Sequence, residues 1–377
     1  MRIGLIAPPW FQVPPPSYGG TESVIDTLAR GLADAGHEVL LAASGDSTCP
    51  VPRVPGLPSA DTTTLGSSRE EIRHVVRSYA AMTDVDILHD HTLIGPLYRH
   101  RPLGVPLVTT THGPFAPDLR DLYQAISADA AVVAISHHQA STARNFKVAR
   151  VIHHGIDVGS VPTGSGSGQY ACFLGRMNPS KGIREAIMIA RRAQMPLRIA
   201  AKMHDKAEHE YFTTVIQPLL GPDVEYLGEL DAEAKYRLLG EAAALLSPLQ
   251  WPEPFGLVMI EALATGTPVV STRRGAAPEI VTDGLTGFLR TGEHELASAL
   301  QNAASLDRGG CRRSVEERFS SLRMVQRHLQ LYSELTGIPL TNRPAVTAHR
   351  RGMESVLPPA LTAHLGVSGG HRFGAGP

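Results

Sequence analysis

The stretch EPFGLVMIEALATGTPVVS, residues 253–271, decides the fold of the second half of the chain. Prolines on both sides of Glu253 predict an extended segment there, because a residue that precedes proline avoids the helical region. Apolar residues at helical spacing then predict a helix over 256–265, and the run TPVVS predicts a buried strand over 268–271. A helix that leads into a buried strand is typical of a parallel sheet covered by helices.

The same alternation of short apolar segments and helical patterns extends along the whole chain. The candidate strands are 2–7, 38–42, 86–89, 107–111, 131–135 and 150–153, followed by 170–174, 197–202, 224–227, 243–247, 268–271 and 287–289. Helical patterns lie between them, including 22–35, 69–82, 183–193, 208–219 and 232–239. We therefore predict an α/β protein with two doubly wound, Rossmann-like parallel sheets that face each other across a cleft.

Three segments of unusual composition organise the chain. Residues 155–169 are rich in Gly, Ser and Pro, which predicts a linker and hinge between a first domain at 1–155 and a second domain at 156–321. Residues 44–70 carry many prolines and small polar residues, which is typical of a functional or disordered loop. We expect the tail at 339–377 to be disordered, because it is rich in Pro, Gly and His and lacks periodicity.

Composition excludes several classes of function. The formal net charge of −1 gives no field that would attract nucleic acid, and it disfavours contact with a membrane but leaves it open. The three cysteines, Cys49, Cys172 and Cys311, are distant and odd in number, which argues against a disulfide framework and for a reducing, cytoplasmic setting. No apolar run approaches the length of a membrane span, and the N-terminus is interpreted as a strand and not a signal peptide. The oligomeric state is left open.

Four positions predict a site for a diphosphate. Free N–H groups of Gly256 and Leu257 at the start of a helix form a natural anion site, and Gly256 lets a ligand approach the backbone closely. Arg176 follows a predicted strand and Lys181 begins the next helix, and both are expected on the cleft side. A guanidinium fork with a lysine point charge suits a diphosphate. Glu253 and Glu261 would then bind hydroxyl groups on either side of it, as in a nucleotide sugar.

These motifs together resemble one family. The pattern G-R-x-x-x-x-K-G at 175–182, the two glutamates eight residues apart, and the segments GTPVVST and GAAPEIVTDGLTGFL resemble the family 4 retaining glycosyltransferases of the GT-B fold. The resemblance extends to about residue 336. It implies that the helix at 322–336 crosses back to pack on the first domain.

The resemblance also implies roles for individual residues. The implied catalytic residues are His112 beside the transferred sugar, Glu253 on the donor sugar, and Arg176 and Lys181 on the diphosphate. The other implied donor-binding residues are Glu261 on the ribose, the backbone of Phe255, Gly256 and Leu257, the turn from Gly228 to Leu230 near the base, and the loop Gly19-Gly20, which closes on the phosphates or the acceptor. The acceptor-side residues are Tyr18, Thr21 and His91.

The reaction implied by the resemblance is transfer with retention of configuration, in which the acceptor attacks the face from which the diphosphate leaves. A UDP-sugar is the default donor, the acceptor is an unidentified hydroxyl compound, and no metal or cofactor is expected. Two alternatives stay open. In the first, the chain is another GT-B enzyme, such as a nucleotide-sugar epimerase or a phosphorylase. In the second, it binds a nucleotide sugar without catalysis.

Plain structural roles compete with these functional ones. Either glutamate can pair within the fold, the Gly19-Gly20 pair can serve only a tight turn, and His112 can be a satisfied core histidine. His89 and His91 are expected to point to opposite faces of a strand end, and adjacent histidine pairs to diverge, so a zinc site is disfavoured. The basic face of the helix at 69–82 is interpreted as a solvated surface.

Overall fold

The computed structural model describes residues 1–340 apart from Tyr18 and Pro55, so most of the predicted tail lies outside the described residues. The first half forms a parallel sheet of seven strands in the order β3-β2-β1-β4-β5-β6-β7. Its strands are β1 (Arg2–Ile6), β2 (Glu38–Ala42), β3 (Arg53–Val54), β4 (Ile87–Asp90), β5 (Leu107–Thr110), β6 (Ala131–Ala134) and β7 (Val148–Val151).

The second half forms a parallel sheet of six strands in the order β10-β9-β8-β11-β12-β13. Its strands are β8 (Ala171–Arg176), β9 (Leu197–Lys202), β10 (Val224–Gly228), β11 (Ala244–Ser247), β12 (Val269–Thr272) and β13 (Gly287–Arg290). The strand order reverses between β1 and β4 in one sheet and between β8 and β11 in the other. Ligands of such sheets bind at the carboxyl ends of the strands beside this reversal.

Helices cover the sheets. In the first half they are α1 (Gly20–Asp34), α2 (Ser68–Ala81), α3 (Arg120–Asp129) and α4 (His137–Ser141). In the second half they are α5 (Ile183–Arg192), α6 (Lys206–Tyr211), α7 (Ala232–Glu241), α8 (Leu257–Ala264), α9 (Ala277–Ile280), α10 (Glu293–Ala303), α11 (Arg308–Arg318) and α12 (Ser321–Thr336). Within the described residues, every helix is too short or too polar to cross a bilayer.

Two segments differ from their sequence prediction. The stretch at 44–70 contains β3, and Asp46 fixes it by accepting hydrogen bonds from Gln12 Nε2 at 2.9 Å and from the Ala60 N–H at 3.0 Å. The single helix predicted over 208–219 begins earlier as α6, widens into a π-turn at Phe212–Ile216 and ends in a 3₁₀ turn. Pro218 lies in that last turn, where its missing N–H cannot continue the α-helical ladder.

The chain crosses between the two sheets twice, at Gly155–Ile156 and near Ser320. The Ile156 N–H donates to the Phe319 carbonyl at 3.0 Å, and the Ser321 N–H donates to the Ile156 carbonyl at 2.8 Å. After the second crossing, α12 packs against α1 and contributes to the core of the first sheet. The predicted linker is less free than its composition indicates, because the N–H groups of residues 164, 166 and 168 all donate to carbonyls of the second half.

Candidate active site

The carboxyl ends of both sheets open into one cleft. This main cleft has a volume of about 2160 Å³ including its open mouth, and it is lined from the first half by Thr21 and His112 and from the second half by Arg176, Lys181 and Glu253. A smaller inner cavity, where Lys181, His112 and Glu253 also lie, reaches the start of α8. The structure therefore brings together residues that lie as much as 232 positions apart in the sequence (from 21 to 253).

The segment after Glu253 forms a sharp turn into α8. Gly256 has a φ of +103°, a left-handed conformation that L side chains rarely adopt, and a Cβ there would lie 2.2 Å from the Met259 Cε. The first N–H groups of α8 belong to Leu257 and Val258, and both residues line the inner cavity. Those amides have no partner within their own helix, so the cavity offers hydrogen-bond donors to an anion.

Lys181 and Glu253 form an ion pair at the edge of the inner cavity. Their side chains are 22% and 14% exposed, and Trp251 Nε1 donates a second hydrogen bond to the same Glu253 oxygen at 2.9 Å. The Lys181 ammonium lies 4.8 Å from the centre of the Trp251 ring. The ion pair holds both side chains in place before a ligand arrives. A ligand anion that approaches Lys181 would share its ammonium group with Glu253.

Arg176 lies at the end of β8 and is fixed by acidic residues of α6. Its Nε donates to Glu208 Oε1 at 2.7 Å, and the Glu208 carboxylate is almost fully buried. Asp205 lies 3.5 Å from the same guanidinium. The arginine lines the main cleft with its orientation set by these partners, which reduces the rotamer freedom that binding would otherwise cost.

Glu261 lies on the second turn of α8 and has one free oxygen. Its Oε1 accepts from Lys235 Nζ at 2.6 Å, while Oε2 is buried with no hydrogen-bond partner among the described residues. Burial alone would lower the pKa of Lys235, but the neighbouring Glu261 carboxylate outweighs it and the pKa is raised. Both side chains line a small cavity beside Gly19 and Gly20. An unpartnered buried oxygen is costly, and a ligand hydroxyl would satisfy it.

The remaining predicted donor residues are spread over different surroundings. Phe255 is buried and its ring packs edge-on against His154 at 5.1 Å. The turn at Gly228 and Leu230 ends β10 and lies outside the three cavities that hold the other predicted donor residues. Gly20 is close enough to α8 that a Cβ there would lie 3.2 Å from Leu257 Cδ1.

The first-domain side of the cleft holds a row of histidines whose rings lie next to one another. The ring centroids of neighbours along the row are 5.2 Å apart for His328 and His89, 4.0 Å for His89 and His91, 5.2 Å for His91 and His112, and 5.1 Å for His112 and His154. The prediction that His89 and His91 point to opposite faces is wrong, because residues two apart on a strand share a face. His91 Nδ1 and His112 Nε2 are 3.0 Å apart and share a hydrogen bond.

Burial keeps this row neutral. It lowers the pKa of His112 to about 3 and that of His328 to about 4, and it also lowers the pKa of His89, His91 and His154. The main cause in each case is loss of water around the charged form. Neighbouring imidazoles lower the pKa further for His89, His91, His112 and His154, whereas the hydrogen bond to the Met324 carbonyl opposes the shift of His328. A neutral His112 at the cleft can donate or accept a hydrogen bond, but it does not carry a positive charge to the ligand at pH 7.

Gln139 fixes the loop that carries His112. Its Nε2 donates to the carbonyls of Thr111 at 2.9 Å and Gly113 at 2.5 Å, and its Oε1 accepts from the Ile135 N–H at 2.7 Å. The side chain is 1% exposed. Sequence reasoning missed this residue, as it missed Lys235 and Trp251, because each acts through a contact with a distant part of the chain.

Of the acceptor-side residues, Thr21 and His91 line the main cleft, and Tyr18 lies outside the described residues. The Asp84-x-Asp86 triplet immediately precedes β4, at the amino end of the strand and away from the cleft. There Asp86 accepts from the Arg2 N–H and Asp84 pairs with the Arg2 side chain. Among the described residues, one group could hold a metal, with the ligand atoms of His137, His153 and Glu279 within 4.8 Å of one another.

That group is already joined by hydrogen bonds. Glu279, on α9 of the second half, accepts from the N–H groups of His137 at 2.8 Å and His138 at 2.7 Å, at the start of α4 in the first half. Its Oε2 also accepts from His153 Nε2 at 2.8 Å. These bonds outweigh the effect of partial burial, so the pKa of Glu279 lies below its usual value. The carboxylate therefore ties the two halves together, and we call this set of bonds the Glu279 clamp.

Comparison with known proteins gives a consistent result. The model described as Glycosyltransferase Family 4 matches residues 18–160, and the model described as Glycosyl transferases group 1 matches residues 164–315. The chain is similar to a phosphatidyl-myo-inositol mannosyltransferase of Mycolicibacterium smegmatis, with 28% identity over 318 residues, which cover 77% of this chain and 80% of the relative.

Solved structures show the same likeness. AviGT4, a glycosyltransferase involved in avilamycin A biosynthesis, has a TM-score of 0.67 and 25% identity, and the match covers 89% of this chain and 98% of that one. The Anabaena protein HepE, solved in complex with UDP and glucose, has a TM-score of 0.69 and 20% identity, with 88% and 99% covered. The GT-B architecture predicted from the sequence is confirmed by these structures together with the two parallel sheets.

Proposed function

The chain belongs to glycosyltransferase family 4 and is a glycosyltransferase, and from this premise we propose that it transfers a sugar from a UDP-sugar to an acceptor hydroxyl with retention of configuration. The observation that supports this most directly is the free, buried Glu261 Oε2. The Glu261 residue lines the small cavity, one helical turn from the amides that start α8. A ribose hydroxyl on this oxygen would place the diphosphate near those amides and Lys181.

The proposed reaction divides its work between the two sides of the cleft. The bond between the anomeric carbon and the diphosphate oxygen breaks, and the bond between that carbon and the acceptor oxygen forms on the same face of the sugar. The acceptor proton passes to the departing diphosphate oxygen. Lys181, Arg176 and the α8 amides stabilise the charge that develops on the diphosphate, so the proposal requires no metal ion. Glu253 and neutral His112 would hold hydroxyl groups of the donor sugar.

The identity of the base is proposed from likeness. HepE was solved with UDP, and this supports a uridine donor for a chain of the same fold. The mycobacterial relative is named a mannosyltransferase, and its name does not state a nucleotide. A test of the donor must therefore compare bases directly.

A thermal-shift panel with UDP, GDP, ADP and dTDP tests this proposal. A ligand at about 100 times its dissociation constant adds about 2.7 kcal/mol of stability, which raises the melting temperature by a few degrees. We expect UDP to stabilise the wild type and to stabilise Glu261→Ala much less. Glu233→Ala is the matched control, because Glu233 is exposed and lies on α7 away from the cavities. Equal shifts by UDP in wild type and Glu261→Ala would contradict the assignment of Glu261 to the ribose. A shift by GDP alone would mean that the donor carries guanine instead of uracil.

A further inference from the structure

A separate side cavity adjoins the main cleft on the far side of Glu253. It has a volume of about 650 Å³ and shares Pro114, Tyr123, Trp251 and Pro254 with the main cleft. Trp251 and Pro254 lie on either side of Glu253 in the chain, so the cavity opens beside the proposed reaction centre. Its volume is within the range of pockets that hold small ligands. The donor residues proposed above lie in other cavities, which leaves this space without a role.

One wall of the side cavity is a rigid aromatic cluster. Phe115 packs edge-on against Tyr123 and against Phe146, each at a centroid distance of 5.0 Å, and the Tyr123 and Phe146 rings stack at 5.5 Å. Phe115 and Tyr123 are buried, so the cluster is fixed by the core behind it. Trp251 closes the opposite wall from the second half of the chain. Such walls suit the apolar face of a sugar ring or another flat group.

Two arginines line the same cavity. Arg120 begins α3 and Arg144 follows α4, and within residues 1–340 as described neither guanidinium has an ion pair or a hydrogen-bond partner. The acidic residues nearest in sequence, Asp118 and Asp121, do not line the cavity. Many other arginines of the chain pair with a carboxylate, as Arg176 and Arg191 do. Two unpaired guanidinium groups on one concave wall favour a planar anion.

We propose that this side cavity is an acceptor subsite for a compound that carries a phosphate or carboxylate group. Arg120 and Arg144 would bind the anion, the aromatic wall would hold the adjoining ring or carbon skeleton, and the reactive hydroxyl would extend past Trp251 toward Glu253. The net charge of −1 means that this preference is local and does not come from a general attraction of anions to the protein. This inference rests on the proposed transfer reaction, because it deepens the acceptor half of that reaction.

Binding of paired probes tests the subsite without knowledge of the natural acceptor. Isothermal titration with UDP present throughout would compare sn-glycerol 3-phosphate with glycerol, and glucuronate with glucose. We expect the charged member of each pair to bind more tightly, and the double variant Arg120→Gln/Arg144→Gln to weaken it on the order of tenfold or more, since hydrogen bonds to charged groups are the strong ones. The control variant Arg99→Gln/Arg192→Gln removes the same two positive charges from exposed positions outside the cavity.

A vesicle arm separates a lipid headgroup from a free anion. Co-sedimentation with phosphatidylglycerol-containing vesicles, against phosphatidylcholine alone, is measured on the same variants. Loss of vesicle binding only in the arginine double variant indicates an acidic lipid acceptor, and loss of the soluble probes indicates a soluble one; both support the subsite. Equal binding of charged and neutral probes, or equal behaviour of the double variant and wild type in both arms, overturns it. Failure of UDP to bind contradicts the proposed donor instead, and the probe comparison is then repeated without nucleotide.

Discussion

The two sides of the cleft differ in whether the side chains near the proposed reaction centre are charged or neutral. On the second-domain side, lysine and glutamate are held as ion pairs whose side chains are only 12% to 22% exposed. On the first-domain side, a row of buried histidines is neutral. One side therefore meets its ligand with ion pairs already in place, and the histidine row on the other side offers packing and neutral hydrogen bonds. Substitutions on the charged side should change donor binding and rate, and those on the neutral side should change geometry and acid stability.

Lys181→Ala should have the largest effect. It removes the cation proposed for the diphosphate and leaves Glu253 with Trp251 as its remaining partner. We expect kcat/KM to fall by a factor that corresponds to about 2–4 kcal/mol of lost transition-state stabilisation, as when a charged or oxyanion-type donor is removed in other enzymes. The measurement is steady-state transfer or hydrolysis of the donor. Lys147→Ala, at an exposed lysine outside the cleft, serves as the control. Near-wild-type activity in Lys181→Ala would contradict the charged-side assignment.

Gln139→Leu tests whether the neutral side acts through geometry. The change removes the donors that hold the carbonyls on both sides of His112. We expect kcat to fall about tenfold while the dissociation constant for UDP stays unchanged, and stability to fall by about 1–3 kcal/mol for each buried group left unpaired. Ile25→Val, a core change elsewhere in the first half, is the control, because it should lower the free energy of unfolding by a comparable amount. If that control lowers kcat equally, Gln139 has no special positioning role.

Glu279→Gln probes the contact that joins the two sides. The amide keeps one acceptor oxygen but loses the charge that faces two helical N–H groups and His153. We expect the halves to separate more readily, with a rise in radius of gyration by small-angle scattering and a donor affinity that is roughly threefold to tenfold weaker. Glu233→Gln, at an exposed residue, is the control. An unchanged scattering curve together with weaker donor binding would mean that Glu279 does not control the opening of the cleft.

Local pattern in the sequence accounts for the strands and for the charged side of the site. The alternation of apolar strands and helices predicted both sheets. The motifs around Arg176, Lys181 and Glu253 predicted residues that the fold brings to one cleft, and Glu261 lines the small cavity beside Gly19 and Gly20. These residues follow strand ends or start helices, and such positions are visible in a linear pattern.

The parts that sequence reasoning missed depend on tertiary contacts. Lys235 lies on α7, one helix before the glutamate that it pairs with, and no local motif marks it. The Glu279 clamp joins residues more than 120 positions apart. The flexible linker predicted over 155–169 is held by hydrogen bonds to carbonyls after residue 239, which composition alone cannot reveal. The histidine row was misjudged through an error of strand geometry, which the distances correct.

The smallest effect concerns pH. A histidine whose pKa is lowered by folding, as for His328 at about 4 against 6.5 in the unfolded chain, stabilises the fold above pH 6.5 and loses that contribution as pH falls toward its folded pKa. For each such histidine, the free energy of unfolding falls by up to about 1.4 kcal/mol for every unit by which the pH is lowered across that window. Burial raises the pKa of Asp90 to about 6, which works in the opposite direction. Comparison with a variant is therefore needed to isolate the histidines.

His328→Leu is that variant. His328 donates from Nδ1 to the Met324 carbonyl, and its Nε2 is buried without a partner among the described residues, so a leucine removes an unsatisfied group as well as a titrating one. We expect the melting temperature at about pH 7.5 to be equal to or above that of wild type, and its fall toward about pH 5 to be shallower by up to one proton. His294→Leu, at an exposed histidine of α10, should leave the slope unchanged. Parallel melting curves for wild type and His328→Leu would mean that the row takes up protons without opening, and that the neutral side of the cleft is less strictly neutral than its burial implies.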